Sequence, residues 1–490
     1  MVTEMTTKDQ KIVVISGGTA TNELVSIFNK ISPRICYILP ISDNGGSTSE
    51  IIRVIGGPAI GDIRSRLTRL IPSHQEPLRK LLSFRLSSDP REAKMQWNEI
   101  VDGTHSLWTA INPATREIFR AFFIHIHVEL LKRSKHQLNS NKKQFRYELA
   151  NVGNLFLTGV RLFIGSLDSA IELFCKLSDI DSKTEVLPCI NTNFTYHISA
   201  LLENGLIITG QSQISHPSDT NSKVDIYPPP IHTTRPPTPS DNILRTNYFG
   251  TASLDGLNTE FPINEVALAS SRHSMISVLS DNESDEESGN VPQYTHPELK
   301  KSQLHFNKST NIEPLLSPIK RIFYVSPYGQ EICPSAPNKV TTSIAHADIL
   351  IFSIGSLMTS IIPIVILKGV GRAIASSHSK GHKKRVLLLN GCLDRETFGM
   401  TAIDFIRVIV ESATYSVNSN SEDIQKADNI NWNIYITHLV YMKDPQIQVD
   451  TDYLEKVRNI KCVEVDKIPD TEFFNPQSLQ ESLSAIASEE

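Results

Sequence analysis

The sequence predicts an α/β protein with a Rossmann-like, doubly wound and mainly parallel sheet, added helices and a long disordered insertion. Three observations predict this fold. Short β-branched runs alternate with helix-compatible segments, which is typical of a parallel sheet covered by helices. Glycine-rich turns follow three of the runs. One apolar stretch, 349–367, has no charged residue, as is typical of strands buried on both faces.

The chain opens with two β-loop-α units. The first has a strand at 11–16, a GGT turn at 17–19 and a helix-compatible segment at 22–30. The second has a strand at 35–41, and the loop SDNGGST at 42–48 leads into a further helix. Strands that alternate with helices in this way favour parallel pairing.

Length and composition predict one α/β domain interrupted by an insertion. The 490 residues exceed one average domain, and 40% of them are hydrophobic, enough for a substantial core. The first part of the domain is 1–215, and it includes a helical segment at about 78–178. Proline clusters and an acidic run predict that 216–316 is mostly disordered. The second part is 317–490.

Further strands are expected on both sides of the insertion. Short apolar runs, several of them rich in Val and Ile, predict these strands. They lie at 186–190, 206–208, 319–325, 347–354 and 385–390, with 433–440 as the last strand.

Composition excludes several classes of protein. A net charge of -5 implies no general attraction to nucleic acid. Six scattered cysteines without a C-x-x-C pair argue against disulfides and a cysteine zinc site, and they suit the reducing cytoplasm. The stretch 349–367 is long enough to cross a membrane, but Gly355 and Pro363 interrupt it. We therefore interpret it as a buried strand, a turn and a helix, with no membrane contact.

The first two turns are candidate ligand sites. Gly17, Gly18 and Thr19 would let the backbone approach an anion at a helix N-terminus, although a plain tight turn fits the same residues. The second turn contains Asp43, which could hold a magnesium ion or accept hydrogen bonds from a ribose or base. An N-cap role for Ser47 is the structural alternative there.

Two later turns should lie at the same edge of the sheet, because the carboxyl ends of parallel strands meet there. One begins at Gly61, and the other contains Gly355 and Ser356, whose amides and hydroxyl could bind phosphate. For the residues of these turns, a role in capping a helix is the structural alternative to ligand binding. The predicted ligand-binding residues are Gly17, Gly18, Thr19, Ser42, Asp43, Asn44, Gly45, Gly46, Ser47, Gly61, Asp62, Arg64, Gly355, Ser356, Asn390 and Glu396, with Asp43 as metal ligand.

Standard catalytic motifs are absent from the sequence. The turn at 17–22 does not match G-x-G-x-x-G, which excludes the usual dinucleotide fingerprint. There is no G-x-x-x-x-G-K-[ST], H-E-x-x-H or G-x-S-x-G motif either. The sequence therefore names no general base or nucleophile.

Six motifs, in order, resemble the family of 2-phospho-L-lactate transferase (CofD) and the YvcK-type gluconeogenesis factors, most closely its fungal and plant branch. They are GGTA at 17–20, SDNGGST at 42–48, GDIR at 61–64, GNLFLTG at 153–159, GSLMTSIIP at 355–363 and NGCLDRET at 390–397. The resemblance implies a Rossmann-like fold that binds its ligand at the carboxyl edge of the sheet. It also implies that Asn154 lines the pocket.

The resemblance leaves two functions open, and residue types alone leave a third. CofD-type transferases move a phospholactyl group from a guanine dinucleotide-type donor to a deazaflavin alcohol with magnesium as cofactor. YvcK-type proteins bind a UDP-sugar and regulate carbon metabolism without catalysis. The third reading is an interaction protein with a vestigial pocket.

Three departures from the family pattern bear on the choice between these functions. Ala20 replaces a common glycine, Asn44 stands where a second aspartate is frequent, and Ser353-Ile354 replaces glycine-proline. The loss of one carboxylate weakens the argument for metal-assisted transfer. The expected partner is a nucleotide or nucleotide-sugar, and the resemblance also suggests a homodimer.

Overall fold

Eleven strands occur in the part of the chain that the structure, a computed structural model, describes: residues 10–42, 45–135, 144–215, 314–376, 383–417 and 429–489. In chain order they are β1 (Ile12–Ile15), β2 (Ile35–Leu39), β3 (Thr184–Pro188), β4 (His197–Leu202), β5 (Ile207–Thr209), β6 (Ile319–Val325), β7 (Glu331–Ile332), β8 (Ile349–Phe352), β9 (Lys384–Leu388), β10 (His438–Met442) and β11 (Lys461–Val465).

Seven of these strands form one parallel sheet in the order β3-β2-β1-β8-β9-β10-β11. The central strands are buried along their whole length, since every residue of β1, β2, β8 and β9 is buried. Side chains on both faces of these strands pack against helices. This explains why their sequences are continuous apolar runs rather than alternating ones.

The order of the strands reverses between β1 and β8. The chain moves outward from β1 through β2 to β3, and then returns to the other side of β1 with β8. In open α/β sheets, the crevice at such a reversal, outside the carboxyl ends of the strands, is where ligands bind. The turns after β1 and β8 lie at this crevice.

Fifteen α-helices lie in the described ranges. Those before residue 216 are α1 (Val25–Ile31), α2 (Gly46–Val54), α3 (Gly61–Leu70), α4 (Glu76–Ser83), α5 (Pro90–Asp102), α6 (Pro113–Lys135), α7 (Val152–Ile164), α8 (Leu167–Leu177) and α9 (Gln211–Ser215). Those after residue 313 are α10 (Asn338–Ala345), α11 (Ile362–Val365), α12 (Val370–Ser376), α13 (Ala402–Val417), α14 (Thr451–Lys456) and α15 (Pro476–Ser488).

Helices α2–α8 follow one another in the sequence between β2 and β3. An aromatic cluster packs α5, α6 and α7 of this group against each other. Phe156 of α7 stacks on Phe119 of α6 with ring centroids 4.4 Å apart, and its edge contacts Phe123. Trp97 of α5 contacts Phe123 from the other side. This packing fixes the position of α7, whose N-terminus reaches the candidate site.

A second, antiparallel sheet has the order β5-β4-β6-β7. Strand β4 pairs with β6 from His197 opposite Val325 to Leu202 opposite Ile319. This second sheet was not predicted from the sequence. Strand β4 was also missed, because the partner of β4, strand β6, lies more than 100 residues away in the sequence.

The predicted fold class is confirmed: the centre is a doubly wound parallel sheet with added helices. The stretch 349–367 forms β8, a π-helical turn at Leu357–Ile361 and α11. In the described ranges, no helix is long and apolar enough to span a membrane. The prediction of a last strand at 433–440 is wrong, because β10 begins at His438 and β11 follows it.

Two predictions lie largely or wholly outside the described residues. They are the disordered insertion at 216–316, of which only 314–316 are described, and the side chains of Asp43 and Asn44.

Candidate functional site

The loop after β1 (the β1 loop, residues 16–20) is the most open turn at the crevice. Gly17 and Gly18 are buried, whereas Thr19 and Ala20 are exposed. Within the described residues, the backbone amides of residues 17–20 donate no hydrogen bond. Unpartnered amides at the start of a helical segment are suited to bind an anion.

Both glycines are required by close packing against other elements. A Cβ atom on Gly18 would lie 2.5 Å from Asp62 Oδ1 and 2.8 Å from Asp62 Cα. A Cβ atom on Gly17 would lie 2.7 Å from Ser360 Oγ. The β1 loop therefore lies in direct contact with the first turn of α3 on one side and with the turn after β8 on the other.

A buried arginine lies against the β1 loop. Arg66 of α3 is fully buried, and its Nη2 donates to the carbonyl oxygen of Gly17 at 3.2 Å. Its guanidinium lies 4.5 Å from the ring centroid of Tyr37. Its Nε and Nη1 have no hydrogen-bond partner in the described part of the chain. Burial lowers the pKa of the Arg66 guanidinium to about 10, so it is charged at neutral pH.

Asp62 lies one helical turn before Arg66 on α3, and the pKa of Arg66 is raised again in part by Tyr37 and then by Asp62. The residue is 8% exposed, and its carboxylate lies against Gly18. The β1 loop is thus bordered by one buried cation and one buried acid. A buried charge is costly unless a counter-charge or hydrogen bonds stabilise it.

Helix α2 begins at the second predicted turn. Its N-cap is Gly45, and no side chain of a described residue caps the helix. Ser47 does not act as the predicted alternative N-cap, because its Oγ accepts a hydrogen bond from the amide of Asn151 at 2.9 Å. Ser42 is buried, and its Oγ has no partner within the described ranges. The amide of Gly46 makes no hydrogen bond in the described part either.

Two arginines hold the opposite end of α2. Arg161 donates from Nη2 to the carbonyl oxygen of Gly56 at 3.2 Å, and Arg133 donates to that of Ile55 at 3.2 Å. Cations at a helix C-terminus also interact favourably with the helix dipole. In addition, the buried carboxylate of Glu50 pairs with Arg53 and Arg146. The start of α2 therefore projects from a helix fixed by four arginines.

The predicted residues Arg64 and Asn154 contact each other. Arg64 Nε donates to Asn154 Oδ1 at 3.0 Å. Asn154 is 1% exposed, and Asn151 caps its helix by accepting from the amides of Gly153 and Asn154. Asn154 thus orients Arg64. The amide end of α7 is satisfied within the protein.

The turn after β8 (the β8 turn, residues 353–361) is held to neighbouring segments by hydrogen bonds at Ser353, Gly355 and Thr359, whereas the amides of residues 354 and 356–358 donate no hydrogen bond in the described part of the chain. Asn390, which follows β9, accepts from the amide of Gly355 at 3.0 Å and donates back to its carbonyl oxygen at 2.8 Å. Thr21 Oγ1 donates to the carbonyl oxygen of Ile354 at 2.9 Å and lies 3.0 Å from Ser353 Oγ. These bonds join the β8 turn to β9 and to the segment after the β1 loop.

Glu396 lies behind the β8 turn among hydroxyl groups. Its carboxylate contacts Ser215 Oγ at 2.6 Å and Thr359 Oγ1 at 2.8 Å, and it also contacts Ser356 Oγ. The side chain is 5% exposed, and burial raises its pKa to about 7, with a further contribution from Asp394. Glu396 has its hydrogen-bonding capacity filled by protein groups, so it forms the inner wall of the site.

The residues fit a magnesium ion in one arrangement. In the described part of the chain, no group of three or more His, Cys, Asp or Glu side chains lies close enough to hold a metal. Magnesium is usually bound by one or two carboxylates together with ligand phosphates and water. Asp62 at the β1 loop could supply such a carboxylate. Asp43, the predicted metal ligand, is outside the described residues.

The structure thus arranges most of the predicted residues along one edge of the sheet. Gly17, Gly18, Thr19 and Asp62 meet at the β1 loop, and Gly355, Ser356, Asn390 and Glu396 meet at the β8 turn. Sequence reasoning missed Arg66, Asn151, Thr21 and Ser215 as members of the site. For Arg66 a signal existed, since it follows Asp62 by four residues and therefore shares its helix face.

Fold and site together define a Rossmann-like α/β protein with its candidate crevice at the switch point. The chain belongs to the CofD family, since a family model described as 2-phospho-L-lactate transferase CofD matches residues 12–472. An uncharacterized protein of Saccharomyces cerevisiae is 42% identical over 463 residues, which are 93% of this chain and 95% of that protein.

One short match to a further relative agrees with this assignment, and a solved structure shares the fold. A protein of Yersinia pestis named "Putative gluconeogenesis factor" is 37% identical over 62 residues, 13% of this chain and 20% of that protein. A crystal structure from Bacillus halodurans, described as a member of the UPF0052 family, has a TM-score of 0.53 at 15% identity and covers 97% of this chain and 99% of that chain. This last likeness concerns the fold alone. The family resemblance expected from the motifs is confirmed.

Proposed function

We propose that the protein binds a phosphorylated, nucleotide-like ligand at the carboxyl edge of the sheet, between the β1 loop and the β8 turn. We further propose that it transfers a substituted phosphate group from a nucleotide-activated donor in the presence of magnesium, as a CofD-type transferase. The observation that carries the binding proposal is the β1 loop, whose four amides donate no hydrogen bond within the described residues, together with the buried Arg66 that contacts it.

The electrostatics of Arg66 support an anionic ligand. A guanidinium that is fully buried and has two unpartnered nitrogen atoms within the described residues carries a desolvation cost of several kcal/mol. A phosphate bound at the amides of the β1 loop would lie beside this cation and stabilise it. The same phosphate would accept hydrogen bonds from the amides of Gly17, Gly18 and Thr19, which otherwise donate to no group in the described part.

Transfer requires further groups at the crevice. An acceptor hydroxyl would form the new bond to phosphorus while the nucleotide leaves with its bridging oxygen. A magnesium ion, when bound, would neutralise charge on the phosphates, and Asp62 and Asp43 are the carboxylates proposed to hold it. Arg64, oriented by Asn154, is proposed to contact the charged phosphate oxygens.

The alternative is a YvcK-like protein that binds a UDP-sugar or another nucleotide and regulates carbon metabolism without catalysis. The short match to a protein named as a gluconeogenesis factor supports it. Both functions need the same anion-binding crevice, so binding and turnover must be measured separately.

A thermal-shift titration tests the binding proposal. The full chain is screened against guanosine, uridine and adenosine diphosphates and UDP-sugars, each with and without magnesium. A ligand present at 100 times its Kd stabilises the folded state by about 2.7 kcal/mol. No shift with any of these compounds would overturn the proposed site.

Two variants and one control separate the candidate functions. Asp43→Ala and Asp62→Asn should abolish a magnesium-dependent shift, whereas Asp452→Asn, at an exposed carboxylate of α14, should leave it intact. Turnover of a guanosine diphosphate ester, followed by loss of its diphosphate signal in ³¹P NMR, supports the transferase. Magnesium-independent binding of a UDP-sugar without turnover supports the regulator.

Two expectations from the sequence remain predictions. The homodimer is tested by sedimentation velocity of the full chain, and the cytoplasmic location by microscopy of a tagged chain. The solvent-facing residues Ile124, Val128 and Leu131 make α6 the apolar surface to examine in a dimer.

A further inference from the structure

The hydroxyl cluster around Glu396 contains more close oxygen contacts than its hydroxyl hydrogens can fill. The members are Ser215 at the end of α9, Ser356 and Thr359 in the β8 turn, and Glu396 after β9. Each hydroxyl has one hydrogen, so the three hydroxyls supply three. The amide of Thr359 adds a separate donor, shared between Ser356 Oγ and Glu396 Oε2 at 3.2 Å.

Five oxygen–oxygen contacts in this cluster are within hydrogen-bonding distance. Three join the Glu396 carboxyl group to the hydroxyls of Ser215, Ser356 and Thr359. Two join hydroxyls to each other, Ser356 to Thr359 at 2.6 Å and Ser215 to Thr359 at 3.2 Å. If Glu396 is ionised, its three contacts take all three hydrogens, and two lone pairs face each other at 2.6 Å. A fourth hydrogen on the carboxyl group removes that conflict.

We propose that Glu396 is a positioning residue that remains a neutral carboxylic acid behind the β8 turn, so that an anionic ligand can bind in front of Ser356 without repulsion from a carboxylate. The ligand part of this proposal rests on the proposed function. The proton itself follows from the cluster geometry, and the raised pKa of Glu396 is consistent with it.

In the described part of the chain, the groups that hydrogen-bond the Glu396 carboxyl are hydroxyls and one backbone amide, and Arg395, its neighbour in sequence, makes none of these bonds. Helix α9 and the β8 turn contribute only hydroxyl, amide and apolar groups next to it. Its own loop contributes Asp394, whose negative charge favours the neutral form of Glu396. A bound phosphate would act in the same direction as Asp394. Ligand binding and proton retention at Glu396 are therefore coupled favourably.

The first arm of the test measures unfolding of the ligand-free full chain against pH. Glu396 has a folded-state pKa above its unfolded value, so its contribution to stability is complete below pH 4.5 and is lost as pH rises through about 7. The glutamine side chain of Glu396→Gln has the same shape, and its amide group donates two hydrogens. Together with the three hydroxyl hydrogens these make five, one for each of the five contacts. The ratio of wild-type to variant unfolding constants should rise about a hundredfold between pH 5 and pH 8.

The second arm measures the Kd of guanosine diphosphate for both chains from pH 6 to pH 9. Above pH 7 the wild-type Kd should increase relative to that of Glu396→Gln, by up to about tenfold per pH unit. Titration of the ligand phosphate affects both chains equally and cancels in the ratio. Glu481→Gln, at an exposed carboxylate of α15, serves as control and should follow the wild type.

The outcomes separate this proposal from the proposed function. Equal pH dependence of unfolding in wild type and Glu396→Gln overturns the proton at Glu396. If the first arm succeeds but neither chain binds the nucleotide at any pH, the proposed function and the coupling of ligand binding to the Glu396 proton are both overturned. The protonation of Glu396 in the ligand-free chain is then still supported. If Glu396→Gln does not fold, infrared titration of the wild type replaces it, and absence of a protonated-carboxyl band at pH 6 overturns the proposal.

Discussion

The β1 loop and the β8 turn occupy equivalent positions, since each follows a buried parallel strand beside the switch point, yet their backbones differ. The β1 loop leaves the amides of residues 17–20 without partners in the described part of the chain. In the β8 turn, Asn390 holds both backbone groups of Gly355, and the Ser356 and Glu396 side chains hold the amide of Thr359.

The difference indicates a division of roles. Free amides above a buried cation form a surface prepared for an anion, as at the β1 loop. Side-chain hydrogen bonds to Gly355 and Thr359 fix the backbone of the β8 turn, and the buried Glu396 carboxyl group lies beside it. A glycine-rich turn in the sequence therefore does not identify which of the two roles it has. The side chains that contact the turn do, and the following substitutions test this comparison.

Substitution of Gly18 by Ala should have the largest effect. The new Cβ would lie 2.8 Å from Asp62 Cα, a backbone atom, so that the β1 loop or α3 must shift. Overpacking of this kind costs about 1–3 kcal/mol of stability. Because the shift moves the amides that face the ligand, we expect nucleotide affinity to fall about a hundredfold, as misplacement by ~1 Å can produce. Calorimetric titration measures the affinity.

Gly205→Ala is the control for this substitution. Gly205 has φ +87° and no atom within 4 Å of a new Cβ, so Ala adds only backbone strain, which costs on the order of 1 kcal/mol. It should lower stability without changing affinity. Equal losses of affinity in both variants would mean that the β1 loop is not a binding surface.

Arg66→Met should have the next largest effect. Loss of the hydrogen bond to Gly17 O is offset by removal of a buried charge, so we expect the ligand-free unfolding free energy to change by less than about 1 kcal/mol. Nucleotide affinity should fall tenfold to a hundredfold, about 1.4–2.8 kcal/mol. Chemical unfolding and titration calorimetry measure the two quantities.

Arg161→Met is a matched comparison, because Arg161 is also buried, also has a pKa lowered to about 10 by burial, and also donates to a glycine carbonyl. It holds the far end of α2, so its removal should affect affinity less than threefold, a few tenths of a kcal/mol. If both arginine variants lose affinity equally, Arg66 has no special relation to the ligand.

Asn390→Ala should affect binding less than Gly18→Ala or Arg66→Met. It leaves the amide and carbonyl of Gly355 without partners, which costs about 1–3 kcal/mol of stability. Because the β8 turn forms a wall, affinity should fall by less than about tenfold, or 1.4 kcal/mol. A loss of affinity larger than that of Gly18→Ala would reverse the roles assigned to the two turns.

Local sequence patterns were sufficient to predict the parallel sheet and the turns that follow its buried strands. The buried strands are continuous apolar runs, and parallel pairing then determines that the turns after them share one edge. What the sequence did not reveal depends on contacts between distant residues. Strand β4 is explained by its pairing with β6, and Asn154 proved to orient Arg64. Arg66 shares the helix face of Asp62, but its burial depends on packing against Tyr37 and on the hydrogen bond to Gly17 O.

The direct pairing of β4 with β6 has a consequence for how the chain accommodates residues 216–313. The backbone hydrogen bonds of the antiparallel sheet connect the parts of the chain that precede and follow this segment, from His197 opposite Val325 to Leu202 opposite Ile319. The ends of the intervening chain are thus anchored by the folded core. Natural variants of this protein can therefore differ greatly in length here while keeping the same crevice.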